Sequence, residues 1–248
     1  EILERELKKR KIKLILNTKI EKIERGSDGV LTAFLSDGKQ IKTEKVLVSI
    51  GRALNTENIG LEELGIKKGK KGEIEVNSRM ETNVSGIYAI GDVVGGIMLA
   101  HVASTEGIVA AENIMGHSRE MDYNIVPAGI FTMPEIGSVG LREKQANEKG
   151  IDIKVGRFQF RGLGKAHAMG EIAGMAKIIA DAKTDRVLGL HIIGAHAADL
   201  VHEGAVAMKL GAKAKDIAAT IHAHPTLSEA IMEASEDLHK MAIHMPKV

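Results

Sequence analysis

Ile221-His222-Ala223-His224-Pro225-Thr226-Leu227-Ser228-Glu229, near the C-terminal end, is the stretch around which the rest of the chain can be read. Proline disfavours helix for the residue before it, so His224 is expected in extended backbone, on a strand end or in a loop. Leu227, Ala230, Ile231, Ala234 and Leu238 then recur at helical spacing, so a helix follows at once. An imidazole thus stands just ahead of a helix N-terminus, with a carboxylate one turn inside it. That suits a histidine oriented by an acid, the partnership a general base needs. It equally suits a capping box from Thr226 to Glu229, in which the glutamate bonds the Thr226 N–H and never touches His224. A third arrangement would use His222 and His224, two apart on one strand face, as metal ligands. Spacing favours the cap but does not decide among the three.

His224-Pro225-Thr226 followed by Ser228-Glu229 resembles the C-terminal signature of the pyridine nucleotide-disulfide oxidoreductases. Ala223 and Leu227 favour the dihydrolipoamide dehydrogenase branch of that family over the glutathione reductases. The resemblance implies that His224 is the catalytic acid-base and that Glu229 fixes it.

Composition bounds the alternatives. The 248 residues suffice for one large domain or two moderate ones, and 44% apolar with 27% charged residues is ordinary for a soluble globular chain. The 34 basic and 33 acidic residues nearly cancel, and aromatics are only 2%. Neither a basic field nor stacking platforms are available, so nucleic acid is not an expected partner. No apolar run has the length to span a bilayer, so no membrane is expected either. The cysteine count is zero, which excludes disulfides, thiolate metal sites and dithiol exchange by these residues alone. Glu1 enters inside an amphipathic pattern. We read the chain as the C-terminal part of a longer protein, with no targeting signal legible and a cytoplasmic location expected.

Taken in order, Ile2, Leu3 and Leu7 read as the tail of an amphipathic helix. Lys13 to Glu24 alternates, with Leu14, Leu16, Ile20 and Ile23 set against lysines and glutamates. Val30 to Leu35 and Lys39 to Lys42 flank Asp37-Gly38, a hairpin signal. Val46 to Ile50 reads as a buried strand opening into a loop at Gly51-Arg52. Asn55 to Gly72 reads as loop and short helix with Leu61, Leu64 and Ile66 inward. Ile87 to Asp92 reads as a second buried strand. Gly91 would allow close backbone approach at its end, and Asp92 could accept a hydrogen bond from a sugar or ribitol hydroxyl. The span from Thr82 to Val93 is similar to the family's second FAD-binding motif. Met98, Leu99, Ala100 and His101 resemble a run that lies against the flavin, so these four carry over as cofactor neighbours. A helix through Ile114, with Ala103, Gly107, Ala110 and Ala111, follows.

The polar stretch from Gly116 to Asn124 places a domain boundary near Asp122. Phe131 to Gly140 resembles the opening of the family's dimerisation domain, with Phe131 where a tyrosine is usual. Beyond it we expect a helix at Arg142–Lys149, strands at Ile153–Phe160, Met175–Ala180 and Val187–Ile193, and a helix from Ala197 to Leu210. The fold class expected is an α/β remnant of nucleotide-binding domains followed by an α+β dimerisation domain with an antiparallel sheet. Its segments are 1–51, closing an NAD domain; 52–121, contacting FAD; and 122–248, the interface domain.

The resemblance implies a homodimeric flavoenzyme that oxidises dihydrolipoyl groups on a lipoyl-bearing protein of a 2-oxo acid dehydrogenase or glycine cleavage complex. Electrons would pass through a cysteine pair and FAD to NAD, with His224 serving the cysteine pair of the other subunit. Alternatives are a glutathione or mercuric reductase, although the Met245-to-Val248 end lacks the latter's terminal cysteines, or a non-catalytic dimerisation module.

Overall fold

The first helix, α1 (Ile2–Lys9), turns Ile2 and Leu3 away from full exposure and leaves its lysines in water. It belongs to a computed structural model that describes residues 1–245; residues 246–248, in the terminal stretch whose lack of cysteines was noted above, lie outside the described residues. The chain forms two compact units, one of 13–121 and one of 1–12 together with 122–248.

The unit of 13–121 begins with an antiparallel meander of β1 (Ile20–Arg25), β2 (Leu31–Leu35) and β3 (Gln40–Thr43), in that order. The expected hairpin forms. Gly38 takes φ +81°, which a side chain would resist, and the Asp37 carboxylate accepts the Lys39 N–H at 3.1 Å. Alternation succeeds on β2, where Ala33 and Leu35 are buried. It fails further upstream. Residues 13–19 are irregular and every residue of β1 is exposed, because nothing among the described residues covers the outer face of this edge strand.

Val46 to Ile50 is not a buried strand. It is irregular, and Leu47 and Ile50 are each 92% exposed. A parallel-sheet strand needs neighbours on both edges, and no described strand pairs with this segment.

Further on, Leu61, Ile66, Ile74 and Ala89 form a small core. Leu64 faces solvent instead of joining them, and 60–65 is a set of turns with no short helix. Ile87 to Asp92 also departs from expectation. One bridge joins Tyr88 to Glu81, Ala89 donates to the Met80 carbonyl, and the chain turns into a 3-10 helix at Gly91–Val94. The segment folds back on its own preceding loop and so pairs locally. After it, α2 (Ala100–Ile114) buries Val102, Glu106, Val109, Ala110 and Asn113 along one stripe.

The second unit is built on a five-stranded antiparallel sheet. Its strands are β4 (Ala128–Ile130), β5 (Glu135–Gly140), β6 (Ile153–Gln159), β7 (Met175–Asp181) and β8 (Val187–Gly194), in the order β4-β5-β8-β7-β6. Between them lie α3 (Glu143–Glu148) and α4 (Gly164–Met169), and after them α5 (Ala197–Leu210), α6 (Ala214–Ala219) and α7 (Glu229–Asp237). The expected strands and the helices at Arg142–Lys149 and 197–210 are all present within a residue or so at their ends, whereas α4 and α6 carried too few apolar repeats to be read.

Ala176 pairs with Ile192, and Ile178 with Leu190. These inward residues meet Val201, Ala230, Ile231 and Ala234 in one core. Each large aliphatic side chain fully buried there is worth roughly 1.5–3 kcal/mol. Glycines let the helices sit close. A Cβ at Gly137 would strike the Ala197 carbonyl of α5, and one at Gly156 the Ala234 carbonyl of α7. Each unit mixes an antiparallel sheet with helices, and in the second unit α5 and α7 pack on the sheet.

Candidate active site

The loop between α6 and α7 carries the histidines. Thr220 ends α6, Leu227 is buried in the core, and Ser228 precedes the first turn of α7, so Glu229 opens that helix with its carboxylate beside the loop. An acidic group is favoured at this end by the helix dipole.

The two oxygens of Glu229 serve different donors. His224 Nδ1–H donates to Oε1 at 2.8 Å, and the Thr226 N–H donates to Oε2 at 2.8 Å. Cap and dyad therefore coexist. The capping box itself is only half made, because the Thr226 hydroxyl turns away from the helix and donates to the Ala223 carbonyl at 2.7 Å. The Ser228 hydroxyl donates to Thr226 Oγ1 at 3.0 Å.

Burial works to raise the pKa of Glu229. The Thr226 N–H and the His224 ring outweigh it, with His244 adding to them, and hold the carboxyl below its ordinary value. With Nδ1 committed to a carboxylate, which only accepts, the neutral ring keeps its Nε2 lone pair free. The His224 side chain is 74% exposed, against 12% for Glu229. An oriented imidazole with an open lone pair can take a proton from an incoming thiol or hydroxyl.

His222 does not share a metal face with His224. Its Nδ1 bonds the Thr220 carbonyl at 2.8 Å and its Nε2 bonds Glu203 of α5 at 2.9 Å. No group of three or more candidate metal ligands occurs among the described residues. Another histidine, His191, is a staple within the sheet. Ser138, its register partner, donates to Nδ1 at 2.8 Å, and Nε2–H donates to the Leu141 carbonyl at 2.9 Å. Burial lowers its pKa.

Gly91, Asp92 and the run Met98, Leu99, Ala100 and His101 lie in the other unit, 13–121. Gly91 adopts φ +77° and its N–H donates at 2.7 Å to Glu106, a carboxylate 2% exposed on α2. A Cβ on Gly91 would touch that of Ala103, and one on Gly107 would lie 3.3 Å from Ile90. The small residues of α2 thus let the Gly91 turn approach the helix. Asp92 is exposed, as are Met98, Ala100 and His101 at the start of α2, with Leu99 half-buried.

Glu106 was missed in the sequence, although a signal existed: it falls on the buried stripe between Val102 and Val109. Glu233 is similar. It lies on the buried face of α7 and accepts His244 Nδ1–H at 2.5 Å. Glu203, 19 residues from His222, left no local signal.

The sequence pattern described as pyridine nucleotide-disulphide oxidoreductase matches residues 1–107, and that of its dimerisation domain matches residues 126–235. The chain belongs to that family. Among its relatives are the dihydrolipoyl dehydrogenases. That of Thermus scotoductus is 44% identical over 248 residues, covering 98% of this chain and 54% of that protein. The human mitochondrial one is 46% identical over 237 residues, covering 94% and 47%. The solved structure of LpdA from Mycobacterium tuberculosis is similar with a TM-score of 0.89 at 28% identity, over 96% of this chain and 52% of that one. The HOCl-induced flavoprotein disulfide reductase RclA of Escherichia coli gives a TM-score of 0.88 at 26% identity, over 95% and 54%. The chain spans about half the length of the relatives it matches.

Proposed function

We propose that this chain supplies the acid-base and cofactor-contacting portion of an NAD-dependent dihydrolipoyl dehydrogenase. The observation that carries the proposal is the His224 ring, held at Nδ1 by Glu229 and open at Nε2. A dithiol must become a thiolate before it can attack a disulfide. His224 Nε2 takes the proton from the attacking dihydrolipoyl thiol, and the imidazolium so formed is favoured by the Glu229 carboxylate. The sequence has no cysteine, so the disulfide attacked comes from outside these 248 residues. One cysteine sulfur leaves as thiolate and a lipoyl–cysteine mixed disulfide remains; the second lipoyl thiol, its proton passing to that thiolate, then attacks the lipoyl sulfur of the mixed disulfide, which closes the lipoyl disulfide and releases the second cysteine thiolate.

Asp92 and Gly91 fit an FAD, as the family uses: an exposed acceptor-only carboxylate stands at a glycine turn with no side chain in the way. Met98, Leu99, Ala100 and His101 would line the same cofactor. FAD, when bound, would accept the electron pair of the reduced cysteines and deliver it to NAD.

The dimerisation-domain match supports a homodimer, in which His224 would serve the other subunit's cysteine pair. The partner would be a lipoyl-bearing protein of a 2-oxo acid dehydrogenase or glycine cleavage complex. We read the domain limits as 1–51, 52–121 and 122–248, and the location as cytoplasmic. No helix among the described residues is long and apolar enough to cross a membrane.

The test is steady-state assay of the full-length flavoenzyme. Dihydrolipoamide-dependent NAD reduction is expected, and these 248 residues alone are expected to show none. A full-length enzyme that reduces glutathione disulfide and ignores dihydrolipoamide would overturn the reading in favour of another reductase of the family.

A further inference from the structure

We infer that His222 and Glu203 form a second imidazole–carboxylate pair, whose task is to position His224; the inference rests on His224 being the acid-base. Between Ala219 and Pro225 every residue is exposed except His222, whose side chain is 6% exposed. Glu229 and Thr226 hold the loop from its C-terminal side. On the N-terminal side His222 is the one side chain tucked in, and a single residue, Ala223, separates it from His224.

Its anchor is rigid. Glu203 sits on α5 beside Gly204, where a Cβ would come within 2.6 Å of Leu190 on β8, so the helix is seated directly on the sheet at this level. Val201 and Ala207 are buried on either side of that contact. Both groups facing His222, the Thr220 carbonyl and the Glu203 carboxylate, are acceptors. A neutral ring has one N–H, and turned to Glu203 it ties α5 to the backbone that leads into His224. Catalytic groups must be held to a fraction of an ångström, and a displacement of about 1 Å can cost on the order of 100-fold in rate. His222 and Glu203 are thus positioning residues, acting through the backbone and not on the substrate.

The test uses the full-length holoenzyme. Glu203→Ala removes the anchor, while Glu203→Gln keeps a carbonyl acceptor for His222 Nε2–H. Glu203→Ala is expected to lower kcat for dihydrolipoamide roughly 10-fold with KM little changed, and Glu203→Gln to stay within about 3-fold of wild type. NADH oxidation by an artificial one-electron acceptor, which needs no dithiol, should be unchanged in both. Amide exchange at Thr226, whose N–H donates to Glu229, should quicken in Glu203→Ala and not in Glu203→Gln.

An equal loss of both activities, or unchanged dithiol turnover and exchange in Glu203→Ala, would overturn the inference. If wild-type enzyme ignores dihydrolipoamide, the function reading fails, and the exchange rates still decide whether the pair anchors the loop. Should Glu203→Ala not fold, His222→Ala removes the same contact from the loop side and carries the same expectations.

Discussion

Glu229→Gln separates the two tasks of this residue, because an amide has one acceptor where the carboxylate has two. In the native site Oε1 faces His224 Nδ1–H and Oε2 faces the Thr226 N–H, each at 2.8 Å. Glutamine can accept only one of them, and its NH₂ must then confront the other donor. The half-buried Thr226 N–H has less access to water than the exposed His224 ring, so the amide oxygen is expected to stay with Thr226 and release the histidine. A hydrogen bond to a charged group is worth about 1.5–3 kcal/mol. If it is felt fully in the transition state, where the imidazolium forms, turnover falls roughly 10- to 150-fold at 1.36 kcal/mol per decade. Thermal stability should change by less than about 1 kcal/mol, because water replaces the bond at the exposed ring.

The assay is dihydrolipoamide oxidation by the full-length enzyme across pH, with an artificial NADH acceptor reaction as control. Stability adds a second readout. Glu229 is held below its ordinary 4.5 by the Thr226 N–H and His224 against the pull of burial. A carboxylate lowered in this way contributes stability that is present above 4.5 and lost as pH falls through the folded value. The glutamine variant should lack that loss. Wild-type turnover in Glu229→Gln would refute the dyad and leave Glu229 as a cap alone.

Three other outcomes follow from the same structure. Gly156→Ala should lower stability by about 1–3 kcal/mol in chemical denaturation, because the added Cβ meets the Ala234 carbonyl and lies 2.8 Å from the Leu238 nitrogen; an unchanged midpoint would mean that α7 can lift at no cost. Thr226→Ala should cost about 0.5–1.5 kcal/mol through the lost bond to the Ala223 carbonyl, while the Thr226 N–H keeps Glu229 and the dithiol reaction persists. The hydrogen bond to Glu233 raises the pKa of His244 against the effect of burial, so the terminal segment should hold fast below the ordinary 6.5 and loosen as pH rises through the folded value. Amide exchange at Ile243 and His244, whose N–H groups donate to Glu233 at 3.0 and 3.2 Å, reads this once it is referred to the intrinsic rate at each pH; protection in Glu233→Gln that still rises at low pH would contradict it.

What the sequence yields and withholds follows from where the partners lie. On β7 and β8 the alternation is read correctly because both strands pair within the unit and one face meets α5 and α7. Val46 to Ile50 carries the same apolar signal and stays exposed, because a run of apolar residues states a demand for neighbours without supplying them. The same limit hides Glu203. A helix pattern shows that it is on the outer side of α5, but not which loop returns to meet it. Glu229 was legible as either cap or dyad because both readings use its spacing to the loop, and spacing does not count the oxygens of a carboxylate. Glu106 lay in plain view on a buried stripe, and weighing an acid at an apolar position would have found it.

The rigidity of the site is inherited from the sheet. His224 takes its ring orientation from Glu229, which takes its place from the first turn of α7. That helix is pressed onto β6, where Gly156 leaves no room for it to shift. From the other side, His224 follows His222, which follows Glu203 on α5, and α5 is pressed onto β5 and β8 at Gly137 and Gly204. Two helices seated on one sheet at glycine contacts thus fix the loop from both ends, while the Nε2 face of the imidazole stays open. A general base needs that combination: a fixed ring to align the proton transfer and an unobstructed nitrogen to receive it. It follows that substitutions at the glycine contacts, far from any thiol, should disturb proton transfer before they unfold the unit, since a helix displaced by a few tenths of an ångström still packs but no longer aims its carboxylate.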